Sequence, residues 1–385
     1  NIMVVGDDAQ SIYSFRGATV HNILEFPKIY PDAMMFYLQT NYRSTPEILN
    51  LANSVISHNR YQFPKVLKSI KSSGIKPVLV RCYDKRSESI FVSQRITELI
   101  KNTKPSDIGI LFRSRYQSAE IEIELNRLNI PYVVRGGLRF FEMAHIKDII
   151  AFFRLCYNHK DEMSWIRVLN LVKGIGKASR TKIIDSIKDK KNLSEIILSD
   201  NLPIISSAQA GWKNVRKILE DIMESKQISE QINIIMQRFY LNYLYTNYID
   251  AEQRIADIEG LREISDTWSN IEEFISQTSL QDHFRGEIKD ASGGIVLSTI
   301  HQAKGLEWKI VFVIGLCAYH FPHNLSYTDA GGIEEERRVF YVGITRAKED
   351  LYITYYLSDP KNFSFQKSLF VREMPDDLIE QWTFD

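Results

Sequence analysis

Ile295-Val-Leu-Ser-Thr299-Ile-His301-Gln302-Ala-Lys304-Gly305-Leu306-Glu307-Trp308 decides how the rest of the chain is read. The run Ile295 to Ser298 is short and mostly apolar, and it gives way to a polar loop where His, Lys, Gly and Glu crowd together. A second apolar run, Ile310 to Ala318, follows at once. Short runs rich in Ile and Val between polar flanks predict buried strands. The same pattern recurs in the first third of the chain. Ile2 to Val5, Met34 to Leu38, Pro77 to Tyr83, Ile108 to Phe112 and Tyr132 to Val134 predict strands. Between them Pro46 to Asn59, Ser87 to Lys101 and Ser118 to Leu128 carry helical periodicity. From about 158 to 290 strand signals vanish. Helices are predicted at Trp165–Val172, Ala178–Lys188, Trp212–Glu224, Ile228–Tyr240 and Arg254–Thr278. After Gly293-Gly294 the strands return, ending with Leu351 to Tyr355. Strands alternating with helices argue for a mostly parallel, helix-covered sheet. The expected fold is α/β: a parallel-sheet domain interrupted by an all-α insertion.

Composition narrows the function classes. The 385 residues carry 48 Lys and Arg against 48 Asp and Glu, with 44% hydrophobic and 25% charged residues. This is ordinary for a globular protein of two or three domains. Neutrality gives no support to a tail-driven nucleic-acid binder, but a sum hides local basic surfaces. The three cysteines, Cys82, Cys156 and Cys317, form no CxxC pair, so no zinc site or disulfide framework is indicated, and a reducing, cytoplasmic setting fits. The longest apolar run, Ile310 to Ala318, is too short to span a bilayer, so no membrane partner is expected. The opening strand has nothing before it to pair with, and we expect the chain to be the C-terminal part of a longer protein.

Four stretches carry chemistry. In Val4-Val-Gly-Asp-Asp-Ala-Gln10-Ser-Ile-Tyr13-Ser-Phe15-Arg16, a strand end delivers an amide that both donates and accepts, followed by two aromatic faces and one charge. Aromatics with Arg suit stacking on unpaired bases; taken alone, the loop reads equally as a turn with its rings tucked into the core. In Gln39-Thr-Asn-Tyr42-Arg43-Ser44, a strand-to-helix loop presents an aromatic and a cation where α/β sheets bind ligands; alone, Arg43 reads as a surface residue. The opening stretch is the third, with Glu307 placed to accept from ribose hydroxyls. The fourth, Glu334-Glu-Glu-Arg337-Arg338-Val-Phe-Tyr341-Val-Gly343-Ile-Thr345-Arg346-Ala-Lys348, predicts a helix with acids at its start, as the helix dipole favours, and Arg346 at its far end.

In this order the four stretches resemble the later motifs of the UvrD/Rep/PcrA-type superfamily 1 DNA helicases. The resemblance covers nearly the whole chain, through Leu111-Phe-Arg-Ser-Arg115, Arg135-Gly-Gly-Leu-Arg139-Phe140-Phe141-Glu142, Gly174-Ile175-Gly176 and Phe370-Val-Arg-Glu-Met-Pro375. It implies that residues 1–34 end the first RecA-like domain (1A), that 35–157 and 291–385 form the second (2A), and that 158–290 are the helical insertion 2B. It implies ATP and magnesium (Mg2+) as cofactors. Gln10 resembles the γ-phosphate sensor, Tyr42 the adenine-stacking aromatic, Arg43 and Arg346 the γ-phosphate arginines, and Glu307 the ribose acid. Tyr13, Phe15 and Arg16 resemble the loop that grips single-stranded DNA, although the family usually has Trp where Phe15 stands. His301 resembles the residue coupling DNA to nucleotide, Arg113 or Arg115 a backbone-phosphate contact, and Gly174-Ile175-Gly176 the loop that grips duplex DNA.

Two further features bear on partners. Residues 167–191 hold eight basic against two acidic side chains, whereas 250–290 hold eleven acidic against four basic. The basic stretch beside the Gly-Ile-Gly turn favours a duplex contact, though many of these charges serve as solvated faces. No GxxxxGKS or GxxxxGKT phosphate loop, and no acidic strand-end motif for Mg2+, occurs in the 385 residues. The resemblance places both upstream, so the N-terminal half of the same helicase is an expected partner, along with single-stranded and duplex DNA. The chain alone is expected to have negligible ATPase activity. The alternative is a DNA-binding or regulatory module without ATPase activity, against which Arg43, Glu307 and Arg346 argue. His320 and His323, without a third ligand nearby, read as a loop and not as a metal pair. Tyr240, Tyr243, Tyr245 and Tyr248 read as helix packing.

Overall fold

Strands β3 (Val78–Asp84), β4 (Ile108–Phe112), β5 (Tyr132–Val134), β6 (Ile295–Thr299), β7 (Trp308–Val313), β8 (Ala347–Ser358) and β9 (Glu380–Phe384) form one sheet in the order β5-β6-β4-β7-β8-β3-β9. Every pairing in it is parallel. Two short strands earlier in the chain, β1 (Thr40–Asn41) and β2 (Lys68–Ser69), pair with each other, also parallel. The computed structural model describes residues 2–14, 18–135, 138–199, 202–265, 268, 270–283, 293–358 and 366–385. The fold is α/β, as the sequence predicts.

All five residues of β4 are buried, and β7 is buried except at Lys309, as expected of strands covered on both faces. Gly109 in β4 has a specific reason: a Cβ there would lie 2.7 Å from the Trp308 ring on the neighbouring β7. Phe312 and Tyr352 stack at 4.7 Å on adjacent strands. The helix Lys85–Leu99 begins where Asp84 accepts from the Ser87 N–H at 2.7 Å. The helix Gly332–Ile344 packs on the helix Pro46–Ile56 and is buried from Glu336 onward. The strands that precede the helical part, β3, β4 and β5, do not pair with one another. β3 lies between β8 and β9, β4 between β6 and β7, and β5 against β6.

The chain divides into two units, residues 1–137 with 286–385, and residues 138–285. The second is all helical. Its core includes Trp165 against Trp212 at 6.1 Å and Phe153 edge-on to Phe274 at 5.1 Å. Asp148, buried, accepts from Arg167 and from the Tyr240 hydroxyl, each at 2.6 Å.

Several expectations are corrected. Ile2–Val5 and Met34–Leu38 are not strands; neither run takes part in a strand pairing, and Ile2 is 91% and Leu38 88% exposed. The helical unit starts at 138 and not 158, because the helix Ala144–Tyr157 packs on the helices Glu162–Asn170, Gln209–Glu224, Ala251–Ser265 and Ile271–His283. The single helix expected over Arg254–Thr278 is two, Ala251–Ser265 and Ile271–His283, the second opened by Asn270 accepting from the Glu273 N–H at 2.9 Å. Strand β9, at the sheet edge, is additional to the elements expected.

Candidate functional site

The N-terminal ends of β7 and β8 lie side by side, and the Trp308 N–H donates to the Arg346 carbonyl at 3.0 Å. Glu307 precedes β7 and Arg346 precedes β8, so strand pairing alone brings together residues 39 positions apart. The Tyr42–Arg43 loop is fastened to the same place. Asn41 Oδ1 accepts from the backbone N–H groups of Arg43 and Ser44, both at 2.9 Å, and the Ser44 hydroxyl donates to the Ala347 carbonyl at 2.6 Å.

The side chains then converge. Arg43 Nε donates to Glu307 Oε2 at 2.5 Å, and Lys348 Nζ pairs with Glu307 Oε1 at 2.9 Å. These bonds from Lys348 and Arg43 hold the Glu307 carboxyl down at about 2. Arg346 is buried. Its Nε donates to the Val342 carbonyl at 2.9 Å, and its terminal nitrogens donate to the Leu306 carbonyl and the Thr345 hydroxyl, both at 3.1 Å. Burial, and after it the charge of Arg43, lowers the Arg346 guanidinium to about 10. Tyr42, next to Arg43 in the chain, is 72% exposed. Three cations with one carboxylate give the cluster an excess of positive charge, a setting chemically suited to a polyphosphate. For Mg2+ the described residues offer no group of three His, Cys, Asp or Glu side chains placed to hold an ion.

Gln10 and Tyr13 join the opening stretch of the chain to the loop after β6. Lys304 Nζ donates to the Gln10 carbonyl at 2.8 Å, and the Tyr13 hydroxyl donates to the His301 carbonyl at 2.8 Å. The Lys304 ammonium also lies 5.3 Å from the Tyr13 ring centre. The Gln10 amide donates to Asp7 at 2.6 Å, and Lys65 pairs with both Asp7 and Asp8. Phe15 and Arg16 lie outside the described residues, as do Gly136 and Gly137.

A scan against family models matches residues 36–358 to the UvrD-like helicase C-terminal domain and residues 1–31 to the UvrD/REP helicase N-terminal domain. The chain belongs to the UvrD-like helicase family. Among its relatives, the ATP-dependent DNA helicase PcrA of Bacillus subtilis is 35% identical over 405 residues, covering 99% of this chain and 55% of the relative. PcrA of Staphylococcus epidermidis is 33% identical over 408 residues, covering 100% of this chain and 55% of the relative. A probable DNA helicase II homolog of Mycoplasma capricolum is 33% identical over 401 residues, covering 99% and 55%. The chain thus spans about half the length of the curated relatives it matches.

The remaining candidates of this UvrD-like chain fall in different settings. Arg113 is committed to the buried Glu336, its Nε at 2.8 and 2.9 Å from the two carboxylate oxygens, and is not poised toward any outside group in this arrangement. Arg115 opens a short 3-10 turn and is half-buried. In the helical unit, Gly174 takes φ +93°, Ile175 is buried, and Gly176 starts the helix Lys177–Lys188 with no side-chain cap. A Cβ on Gly176 would meet nothing within 4 Å.

Partners were harder to read than residues. The acids at the start of the helix Gly332–Ile344 suit its dipole, but each also tethers a different segment. Glu334 accepts from the Arg60 N–H at 2.9 Å, Glu335 from the Ser14 N–H at 3.0 Å, and Glu336 from Arg113. Lys348 had no assigned role. A cation two residues past Arg346, at the start of β8, was the available signal. The His320 ring packs edge-on against Tyr116 and Tyr356.

Proposed function

We propose that this chain forms the second nucleotide-facing domain and the helical insertion of an ATP-driven DNA helicase that translocates 3′ to 5′ on single strands. The observation that carries the reading is the cluster of Arg43, Arg346 and Lys348 around Glu307, beside the exposed Tyr42. ATP fits it by chemistry. Tyr42 stacks on the base, Glu307 accepts from the ribose hydroxyls, and Arg43 and Arg346 face the γ-phosphate with Gln10 as its sensor. Phosphoryl transfer spreads negative charge over the equatorial oxygens, and an arginine placed there accelerates it by orders of magnitude. The phosphate cradle and the Mg2+ ligands are assigned to the N-terminal half found in the relatives. Residues 1–34 take the role of 1A, the rest of the sheet unit (35–137 with 286–385) that of 2A, and the helical unit 138–285 that of 2B.

Tyr13, with Phe15 and Arg16, stacks on single-stranded bases. The Tyr13–His301 and Gln10–Lys304 contacts join that loop to the stretch ending in Glu307, which supports His301 as the coupling residue. The Gly174-Ile175-Gly176 turn leads into the uncapped start of the helix Lys177–Lys188, whose first main-chain N–H groups face duplex phosphates. The test is DNA-stimulated ATP hydrolysis by the intact helicase, wild type against Arg346→Ala. Hydrolysis is expected to be lost while DNA binding is retained; unchanged hydrolysis removes Arg346 from catalysis. The 385-residue chain by itself is expected to hydrolyse no ATP.

A further inference from the structure

We infer that Thr345 is a positioning residue that holds both γ-phosphate arginines in register, an inference that rests on the proposed role of Arg43 and Arg346. Thr345 is 3% exposed and caps the C-terminus of the helix Gly332–Ile344. Its hydroxyl lies 2.9 Å from the Tyr341 carbonyl and 3.1 Å from the Val342 carbonyl, and it accepts from a terminal nitrogen of Arg346 at 3.1 Å. A hydroxyl has one proton to give and two lone pairs. Donating to the helix leaves an acceptor for the guanidinium, so its orientation follows from the bonding. The carbonyl of the same residue accepts from Arg43 at 3.3 Å.

One residue therefore touches both guanidiniums, through its side chain for one and its main chain for the other. The two like charges repel, and the Thr345 bonds fix both guanidiniums against that repulsion at one helix end. The Val342 and Leu306 carbonyls grip Arg346 but have no contact with Arg43 in this network. Thr345 is the link between them. A hydroxyl is required for the Arg346 half of that link, whereas any residue supplies the carbonyl for the Arg43 half. This separation makes the role testable by isosteric replacement.

The experiment is steady-state ATP hydrolysis by the intact helicase carrying Thr345→Val, Thr345→Ser or Arg346→Ala. Thr345→Val keeps the shape and removes the hydroxyl. Losing a hydrogen bond to a charged group predicts a fall in kcat of about tenfold or more, with KM for ATP and DNA affinity unchanged. Thr345→Ser, which keeps the hydroxyl and loses the methyl, restores turnover even where it lowers Tm. Wild-type kcat in Thr345→Val, or an equal loss in Thr345→Ser, overturns the inference. If Arg346→Ala itself hydrolyses ATP normally, the functional reading of the arginines fails first.

Discussion

Glu307 accepts from Lys348 and Arg43 at once, so removing either cation changes its acidity. In Lys348→Met the carboxyl is expected to rise from about 2 toward the ordinary carboxylate range, measured by carboxyl carbon NMR across an acid titration. The sign follows from linkage. The folded value lies below the unfolded one, so the stabilisation is present above the unfolded value near 4.5 and is lost as pH falls toward 2. Glu307 is partly exposed, and solvent screening keeps that stabilisation small. At this scale the sequence was readable by residue type. Tyr42 and Glu307 were singled out from their loops for groups that suit a nucleotide, whereas Arg43 and Arg346 took their roles from the family resemblance. The partners were not readable: nothing in Arg113 itself points to Glu336, 223 positions away, or in Lys65 to Asp7.

The Gly174-Ile175-Gly176 turn separates two kinds of glycine within one element. Gly174 sits at φ +93°, with Ser207 Oγ 3.1 Å from where a Cβ would be, so Gly174→Ala is expected to destabilise by about 1 kcal/mol or more. Gly176 is at φ −81° with open space around it, so Gly176→Ala is expected to leave Tm unchanged. It still puts a methyl where main-chain amides would approach phosphates, and weaker duplex binding at unchanged single-strand affinity is the expected readout. Thermal melts and binding curves of the two variants distinguish these effects. Short apolar runs between polar flanks were legible as strands at Ile108–Phe112 and Tyr132–Val134. Apolar runs alone were not enough: Ile2–Val5 and Met34–Leu38 look like strands, but hydrophobicity does not specify a hydrogen-bonding neighbour. β9 escaped because Glu380-Gln-Trp-Thr-Phe384 is half polar and pairs on one side only. The Asn270 cap that starts a second helix was available, since Asn followed three residues later by Glu is a start signal.

The molecule as a whole is one sheet unit whose chain departs after β5 and returns at β6 with a helical unit in between. β5 and β6 are adjacent and parallel, Tyr132 opposite Ile295, so the chain between them must run back the full length of a strand. Parallel neighbours need a crossover of about a dozen residues or more. Replacing 135–294, the whole stretch between β5 and β6, by a flexible linker well above that length is expected to leave the sheet unit folded. A two-residue linker is expected to abolish it. Circular dichroism and a cooperative melt of the two proteins test this. The insertion itself was legible from the loss of strand signals, but its start was not, because the periodicity of Ala144–Tyr157 does not say which unit the helix packs on.

The strand order also sets a timetable. β3, β4 and β5 are made first but have no partners among themselves; every hydrogen-bonded neighbour they have lies beyond residue 294. During synthesis the leading strands wait, unpaired and apolar, while the whole helical unit emerges and can close its own core. The sheet is then assembled by β6, β7 and β8 inserting among strands already present and β9 adding at the edge. The strands made after the helical unit are the part that converts the earlier strands into a domain, and chaperone capture of the waiting strands is expected until they arrive.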